Sequence, residues 1–100
     1  MGIFDSLFGK GTDVKDAISQ GGQIVDVRTP GEFAGGHVNG AINIPLNVVD
    51  SKVDDFKKMK EPVILCCASG NRSGQATRFL QSKGVNCING GGWMSVNAQV

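Results

Sequence analysis

The sequence predicts an α/β fold, in which one parallel sheet of about four or five strands carries helices on both of its faces. Short apolar runs alternate with segments of helical periodicity along most of the chain, which is the pattern of parallel strands joined by helices. The run at residues 23–27 is almost continuously apolar, as expected for a strand covered on both faces. In such sheets ligands bind beyond the carboxyl ends of the strands, so we expect a functional site at that edge.

The composition of the 100 residues fits one domain. We place this domain at residues 12–100, after an N-terminal segment at residues 1–11 that either packs on the domain or frays. The net charge of +1 gives no strong attraction to nucleic acid or to an anionic membrane. No apolar stretch approaches the roughly 20 residues that a membrane-spanning helix needs. We therefore expect no nucleic-acid partner and no membrane partner.

The sequence contains three cysteines, Cys66, Cys67 and Cys87, and its start lacks the features of a secretory signal. An odd number of cysteines without such a signal indicates free thiols in a reducing compartment, so we expect a cytoplasmic protein. We expect no metal site, because His37 is the only histidine and no two cysteines have C-x-x-C spacing.

Capping residues and periodicity predict the order of the elements. Thr29, Pro30 and Glu32 form a strong helix start, in which Thr29 is the N-cap and Glu32 closes a capping box. Ser51 and Asp54 form a second capping pair. Asn89 and the three glycines after it are expected to make a flexible bend, and Gly84 to end the longest helix. The predicted helices cover residues 13–20, 30–34, 51–58, 71–83 and 93–98, and the predicted strands cover residues 23–27, 41–44, 63–66 and 85–88.

The central predicted strand leads directly into Cys67 and then into a loop of small and polar residues before a helix. Successive backbone N–H groups in such a loop converge on one point, and the helix start adds the positive end of its dipole. Both favour an anion, so a cysteine there ionises more readily than a free cysteine. We predict that Cys67 is a nucleophile and that the following residues, called the cradle loop, bind its substrate: Ala68, Ser69, Gly70, Asn71, Arg72 and Ser73.

Three stretches resemble the motifs of rhodanese domains, in that family's order. The N-terminal motif of that family resembles two stretches of this chain. They are Asp26-Val27-Arg28-Thr29-Pro30-Gly31-Glu32-Phe33 and Gly36-His37-Val38-Asn39-Gly40-Ala41-Ile42-Asn43-Ile44-Pro45. The active-site loop of the family resembles Cys67-Ala68-Ser69-Gly70-Asn71-Arg72-Ser73-Gly74, and its glycine–tryptophan element resembles Gly91-Gly92-Trp93. The resemblance covers about residues 12–97 and is greatest to single-domain bacterial sulfurtransferases.

This resemblance implies a rhodanese-like three-layer sandwich and a Cys67 that carries sulfane sulfur as a persulfide, with no metal or organic cofactor. It implies a small sulfur donor, namely thiosulfate, polysulfide or a persulfide, and a cyanide or thiol acceptor. That thiol belongs either to a small molecule or to a protein such as a thioredoxin-like protein. Ala68 departs from the family pattern, because many members carry Arg or Lys directly after the nucleophile. We therefore expect weak use of the dianion thiosulfate.

The charged residues near the loop have more than one interpretation. Arg72 either binds the anion or pairs with Asp26 or Glu32 and braces the loop. Since a cation is disfavoured at a helix N-terminus, we predict the bracing role. Asp26, Arg28 and Glu32 are accordingly predicted to support the loop from the neighbouring strand and turn.

The remaining candidate residues are assigned to packing. Cys66 lies next to Cys67, so strand alternation sends its side chain to the opposite face of the sheet. We predict that Cys66 and Cys87 belong to the core. His37 is predicted to be a hydrogen-bonded turn residue rather than a general base, and Trp93 to be a packed wall rather than a ligand platform.

Two other functions stay open at this stage. A cysteine phosphatase or arsenate reductase also uses a cysteine in an anion cradle before an arginine. The phosphatase-like relatives of the family have five residues between the two, whereas four separate Cys67 from Arg72 here. The smaller loop suits one sulfur atom better than a tetrahedral oxyanion. A non-catalytic sulfur-carrier or binding module is the other alternative. Loss of the cysteine would favour a binding module, and Cys67 is present.

Overall fold

The computed structural model describes residues 13–100, so the predicted segment at residues 1–11 lies outside the described residues. No helix in the described part is long and apolar enough to cross a membrane. The strands are β1 (Ile24–Asp26), β2 (Ile42–Asn43), β3 (Val63–Cys67) and β4 (Cys87–Gly92). The helices are α1 (Val14–Ser19), α2 (Pro30–Ala34), α3 (Val53–Lys57), α4 (Asn71–Ser82) and α5 (Trp93–Asn97), with a 3₁₀ helix at Leu46–Ser51.

Within residues 13–100, four strands form one parallel sheet in the order β2-β1-β3-β4. All five residues of β3 are buried, because β1 and β4 flank it and helices cover both of its faces. The α/β fold predicted from the sequence is confirmed. The carboxyl end of the central strand is Cys67, which places this thiol at the edge where ligands bind in parallel sheets.

Helices cover the two faces of the sheet over separate hydrophobic cores. α3 and α4 pack on one face through Phe56 and Leu80, which are fully buried. α1 and α5 pack on the opposite face through Ala17 and Val96. Burying one large apolar side chain contributes about 1.5–3 kcal/mol, so these contacts hold the helices to the sheet.

The two predicted helix caps have different outcomes. The capping box of α2 is confirmed: the Thr29 hydroxyl oxygen accepts from the Glu32 N–H at 3.3 Å, and the Glu32 carboxylate accepts from the Thr29 N–H at 2.9 Å. The cap predicted at Ser51 is wrong. Ser51 ends the 3₁₀ helix, and its hydroxyl donates to the Val48 carbonyl at 2.8 Å. The hydroxyl is thus used inside the preceding turn, and α3 begins only at Val53.

The flexible bend predicted at residues 89–92 is also wrong, because these residues belong to β4. The register between β3 and β4 shifts at this point, leaving Gly90 as the extra residue. Glycine is needed here for space. A Cβ on Gly90 would lie 2.9 Å from side-chain carbons of Ile64 and Val96, and one on Gly92 would lie 2.9 Å from the Ala68 carbonyl oxygen. Gly92 therefore lets the cradle loop lie directly against β4, and Gly90 leaves room for Ile64 and Val96.

Candidate active site

Cys66 and Cys67 occupy opposite faces of the sheet, as predicted. Cys66 belongs to the core beneath α1 and α5, whereas Cys67 belongs to the core beneath α3 and α4. Successive residues of a strand alternate between faces, so the cradle loop can reach only the second cysteine. The side chain of Cys67 is 1% exposed. Its sulfur therefore lies at the inner end of the site rather than on the protein surface.

The cradle loop surrounds the Cys67 sulfur with hydrogen-bond donors. The Gly70 N–H donates to Sγ at 3.0 Å, and the N–H and the hydroxyl of Ser73 each donate at 3.4 Å. Gly70 has a φ of 102°, in the left-handed region that favours glycine. A Cβ on Gly70 would lie 3.3 Å from the Gly91 Cα. Both the backbone conformation and the close approach to β4 therefore require glycine at this position.

The three cysteines differ in acidity. Burial raises the pKa of Cys67, but hydrogen bonds from the Ser73 hydroxyl and from the N–H groups of Ser73, Gly70 and Ser69 outweigh it, so the pKa lies below that of an ordinary thiol. Burial raises the pKa of Cys66 to about 12 and that of Cys87 to about 11. All three thiols are free, and only Cys67 is held in a form that favours the reactive thiolate.

Arg72 is paired with Glu32, one of the two partners predicted for it. The guanidinium donates from Nη1 to Oε1 at 2.8 Å and from Nη2 to Oε2 at 3.1 Å. Because Glu32 also closes the capping box with Thr29, its carboxylate links the start of α2 to the start of α4. The hydrogen bonds of Arg72 lower the pKa of Glu32 to about 2. Glu32 thus reaches the cradle loop directly.

Asp26 and Arg28 form a second, buried ion pair, with 2.7 Å between Oδ2 and Nη2. Arg28 also donates to the Gly36 carbonyl at 2.6 Å, and its guanidinium lies 4.8 Å from the centre of the Trp93 ring. Among the described residues, the side-chain hydrogen bonds of Asp26 and Arg28 join them to each other and to Gly36, not to the cradle loop. This pair holds the end of β1 to the turn before β2 and to α5.

His37 is hydrogen-bonded and Trp93 is packed, as predicted for each of them. His37 Nδ1 lies 2.7 Å from the Phe33 carbonyl oxygen, and the two rings are stacked with centroids 3.7 Å apart. Trp93 packs against the core beneath α1 and α5, the face opposite to Cys67. Neither aromatic side chain belongs to the group of residues that surrounds the sulfur.

Asn89 also belongs to the site, although no sequence pattern predicted it. Its Nδ2 donates to the Gly70 carbonyl at 3.1 Å, while its Oδ1 accepts from the Ser73 hydroxyl at 2.7 Å and from the Gly91 N–H at 3.0 Å. Asn before glycine is typical of a turn, so the contacts of Asn89 with the cradle loop were not predicted. The position of Asn89 after an apolar run, at the carboxyl edge of the sheet, is the signal that could have indicated it.

Ala68, Ser69 and Asn71 are exposed, so the outer surface of the cradle loop carries no charged side chain except Arg72. Beside Arg72 a groove of about 990 Å³ opens between the 3₁₀ helix and α4. Its walls include the apolar side chains of Leu46 and Phe79. Among residues 13–100, no three His, Cys, Asp or Glu side chains lie close enough together to hold a metal ion.

The family model of the Rhodanese-like domain matches residues 11–99. The chain belongs to the rhodanese-like family. The structure of a rhodanese-like domain protein from Staphylococcus aureus superposes on this rhodanese-like domain with a TM-score of 0.68 and 34% sequence identity, covering 76% of this chain and 74% of that one. The fold and the three sequence motifs therefore point to the same family.

Three curated relatives show what this rhodanese-like domain is similar to. The sulfurtransferase of Allochromatium vinosum is 31% identical over 84% of this chain and 73% of its own length. The thiosulfate sulfurtransferase PspE of Escherichia coli is 35% identical over 68% of this chain and 66% of its own length. The uncharacterized protein YqhL of Bacillus subtilis is 44% identical over 66% of this chain, which spans about half, 52%, of that protein. At the level of the family, these comparisons support a sulfurtransferase.

Proposed function

We propose that this rhodanese-like domain transfers sulfane sulfur from a small donor to a thiol or cyanide acceptor through a persulfide on Cys67. The observation that supports the proposal best is the set of donors from Gly70 and Ser73 around the Cys67 sulfur. Preorganised N–H and O–H donors stabilise an anion without further reorganisation, and both the thiolate and the persulfide are anions. The names of the relatives supply the class of reaction.

In the first half of the proposed reaction, the Cys67 thiolate attacks the outer, sulfane sulfur of the donor. A new S–S bond forms to Cys67, and the bond that held this sulfur in the donor breaks. The electron pair of the broken bond leaves with the remainder of the donor, which is sulfite if the donor is thiosulfate. The persulfide keeps one negative charge, which the cradle loop then stabilises.

In the second half, a thiolate or cyanide attacks the outer sulfur of the persulfide. The S–S bond to Cys67 breaks, and its electron pair restores the thiolate. The product is the persulfide of the acceptor thiol, or thiocyanate from cyanide. This is a two-step covalent cycle in which the enzyme alternates between thiolate and persulfide. The proposed acceptors are a small thiol or a protein thiol such as that of a thioredoxin-like protein, in the cytoplasm.

The ion pair between Arg72 and Glu32 argues against the alternative of a phosphatase or arsenate reductase. Such an enzyme needs its arginine to bind the oxyanion, but both terminal nitrogens of Arg72 already donate to Glu32. This carboxylate occupies one side of the guanidinium and neutralises its charge, so the remaining N–H donors of Arg72 attract an oxyanion less strongly. A single sulfur atom bound to Cys67 makes no demand on Arg72, because the donors from Gly70 and Ser73 are already directed at the sulfur.

The proposal is tested by measuring the intact mass of the protein after mixing with thiosulfate, polysulfide or a small organic persulfide. We expect one added sulfur atom on the wild type and on the matched control Cys66→Ser, and none on Cys67→Ser. Subsequent addition of cyanide or a small thiol should remove the sulfur with repeated turnover. Loading of Cys67→Ser would contradict the proposal. Stoichiometric loading without turnover by any acceptor would favour a sulfur carrier, and hydrolysis of a phosphate ester without loading would favour the phosphatase.

A further inference from the structure

The donors to the Cys67 sulfur are held in place by a single side chain on another strand. Gly70 donates to Sγ through its N–H, and its carbonyl accepts from Asn89 Nδ2. Ser73 donates to Sγ through its N–H and hydroxyl, and the same hydroxyl lies 2.7 Å from Asn89 Oδ1. The backbone N–H of Gly91 donates to the same Oδ1 at 3.0 Å, which fixes the orientation of the amide.

We propose that Asn89 is a positioning residue for the chemistry at Cys67: it holds Gly70 and Ser73 so that their donors meet at the sulfur. This inference rests on the proposed sulfur transfer for its catalytic meaning, but not for its geometry. Asn89 acts through its two neighbours, since its amide bonds to the groups that touch the sulfur. The extra residue in β4 next to Asn89 places this side chain beside the cradle loop.

The Ser73 hydroxyl has one proton and two acceptors, Asn89 Oδ1 at 2.7 Å and Cys67 Sγ at 3.4 Å. The shorter distance favours Asn89 while the sulfur is a neutral thiol. Hydrogen bonds to an ionised acceptor are roughly twice as strong as those between neutral groups. A negative charge on Cys67 therefore draws the proton towards the sulfur. In this arrangement Asn89 keeps the Ser73 hydroxyl next to the sulfur. The hydroxyl turns its proton from Asn89 to Cys67 only when negative charge develops on the sulfur.

The charged groups near Cys67 are arranged in pairs, which leaves the neutral donors to set its acidity. Arg72 at the start of α4 is bound to Glu32 of α2, and Arg28 is bound to Asp26 at the end of β1. In the described part of the chain, Cys66 adjoins Cys67 along β3 and Cys87 shares its core, and burial raises their pKa values to about 12 and about 11. A change in the neutral contacts of Asn89 should therefore be visible in the titration of Cys67.

The test compares Asn89→Leu with the wild type by the pH dependence of Cys67 alkylation, followed by peptide mapping. Leucine has a similar size and none of the three hydrogen bonds. We expect the alkylation profile to move about one unit towards higher pH. We expect kcat for sulfur transfer to fall roughly tenfold with little change in KM, because the lost contacts stabilise charge that develops on the sulfur. Asn97→Leu, a change at an exposed residue of α5, is the matched control and should behave as the wild type.

A second variant keeps the test decisive if Asn89→Leu does not fold. Asn89→Asp keeps the acceptor for Ser73 and Gly91 but loses the donor to Gly70. It also adds a negative charge that only the Ser73 hydroxyl separates from the sulfur. Its alkylation profile should also move to higher pH. Wild-type profiles in the folded variants, with only a lower unfolding temperature, would overturn the inference and leave Asn89 a structural residue. Alkylation requires no sulfur donor, so this outcome is separate from any failure of Cys67 to accept sulfur.

Discussion

Arg72 and Glu32 meet through two parallel hydrogen bonds, which join the first turn of α4 to the first turn of α2. Each side chain is 36% exposed, so the pair lies at the protein surface. A pair of this kind contributes little to global stability. Its consequence is local: the arginine is held by a carboxylate, and the attraction for an anion at Cys67 comes mainly from uncharged donors.

The first prediction concerns Glu32 and pH. Because the pKa of Glu32 falls from 4.5 in the unfolded chain to about 2 in the fold, the charged carboxylate stabilises the native state. This contribution is fully present above pH 4.5 and is lost as the pH falls through about 2. Because the pair is exposed and screened, urea unfolding at a series of pH values should show Glu32→Gln to be only slightly less stable than the wild type near neutrality, with the difference closing in acid. A difference that does not change over this range would contradict the ion-pair assignment.

The second prediction is selective alkylation of one cysteine. At neutral pH, iodoacetamide should modify Cys67 and leave Cys66 and Cys87 unmodified, because burial raises the pKa values of the latter two to about 12 and 11. Ser73→Ala removes a hydroxyl donor and should shift the Cys67 profile to higher pH, since a donor to the thiolate lowers the pKa. Peptide mapping across a pH series measures both effects. Faster labelling of Cys66 than of Cys67 in the folded protein would refute this prediction.

The third prediction separates activity from stability at Gly70. Gly70→Ala places a side chain at a φ of 102° and against Gly91, whereas Gly84→Ala meets a φ of 87° with nothing within 4 Å of the new Cβ. A left-handed backbone costs a non-glycine residue roughly 1–2 kcal/mol, so Gly84→Ala should lose about that much stability and Gly70→Ala at least as much. Only Gly70→Ala should also lower kcat, by tenfold or more, because the carbonyl and N–H of residue 70 belong to the cradle loop. Chemical denaturation and steady-state kinetics measure the two effects, and equal kinetics in both variants would argue against a preorganised loop.

The fourth prediction concerns the donor. Ala68 is exposed in the cradle loop and carries no charge, and Arg72 is already paired, so thiosulfate should bind weakly with a high KM. Polysulfide or a small organic persulfide should be the better donor. Ala68→Arg should lower KM for thiosulfate roughly tenfold, equivalent to about 1.4 kcal/mol. Added salt should partly remove the gain, because salt screens an exposed charge.

Ala68→Gln is the matched control for this experiment, because it lengthens the side chain without adding charge. It should leave KM for thiosulfate near the wild-type value. Tight thiosulfate binding by the wild type, with no gain from Ala68→Arg, would mean that the backbone donors and Arg72 suffice for the dianion.

The number of residues between two contacting groups decided whether their contact could be predicted from the sequence. The capping box of Thr29 and Glu32 joins residues three apart, and the bond from Gly70 to Cys67 also spans three residues, so both were readable from local patterns. The partner of Arg72 is 40 residues away, so Asp26 and Glu32 both stayed possible from the sequence. The contact between Asn89 and Ser73 spans 16 residues and was missed.

The errors at Ser51 and in β4 have physical causes of the same kind. A serine near the start of a helix can cap that helix or bond to the preceding turn, and the backbone of the 3₁₀ helix decided the outcome for Ser51. Glycines usually indicate a bend. Positions 90 and 92 of β4 are instead glycine because a side chain there would collide with β3, α5 or the cradle loop. The reason lies in tertiary packing, which the composition of the segment does not contain.

The two adjacent thiols at the end of β3 have identical covalent chemistry, and the pleat of the strand alone separates one that ionises readily from one whose pKa is about 12. A slip of β3 by one residue towards its carboxyl end would therefore place Cys66 where Cys67 lies and present Cys66 to the cradle loop. A slip in this direction would keep a cysteine at the active site, whereas a slip in the other direction would present Ala68. Inserting one residue before Cys66 should reveal whether its thiol can replace that of Cys67.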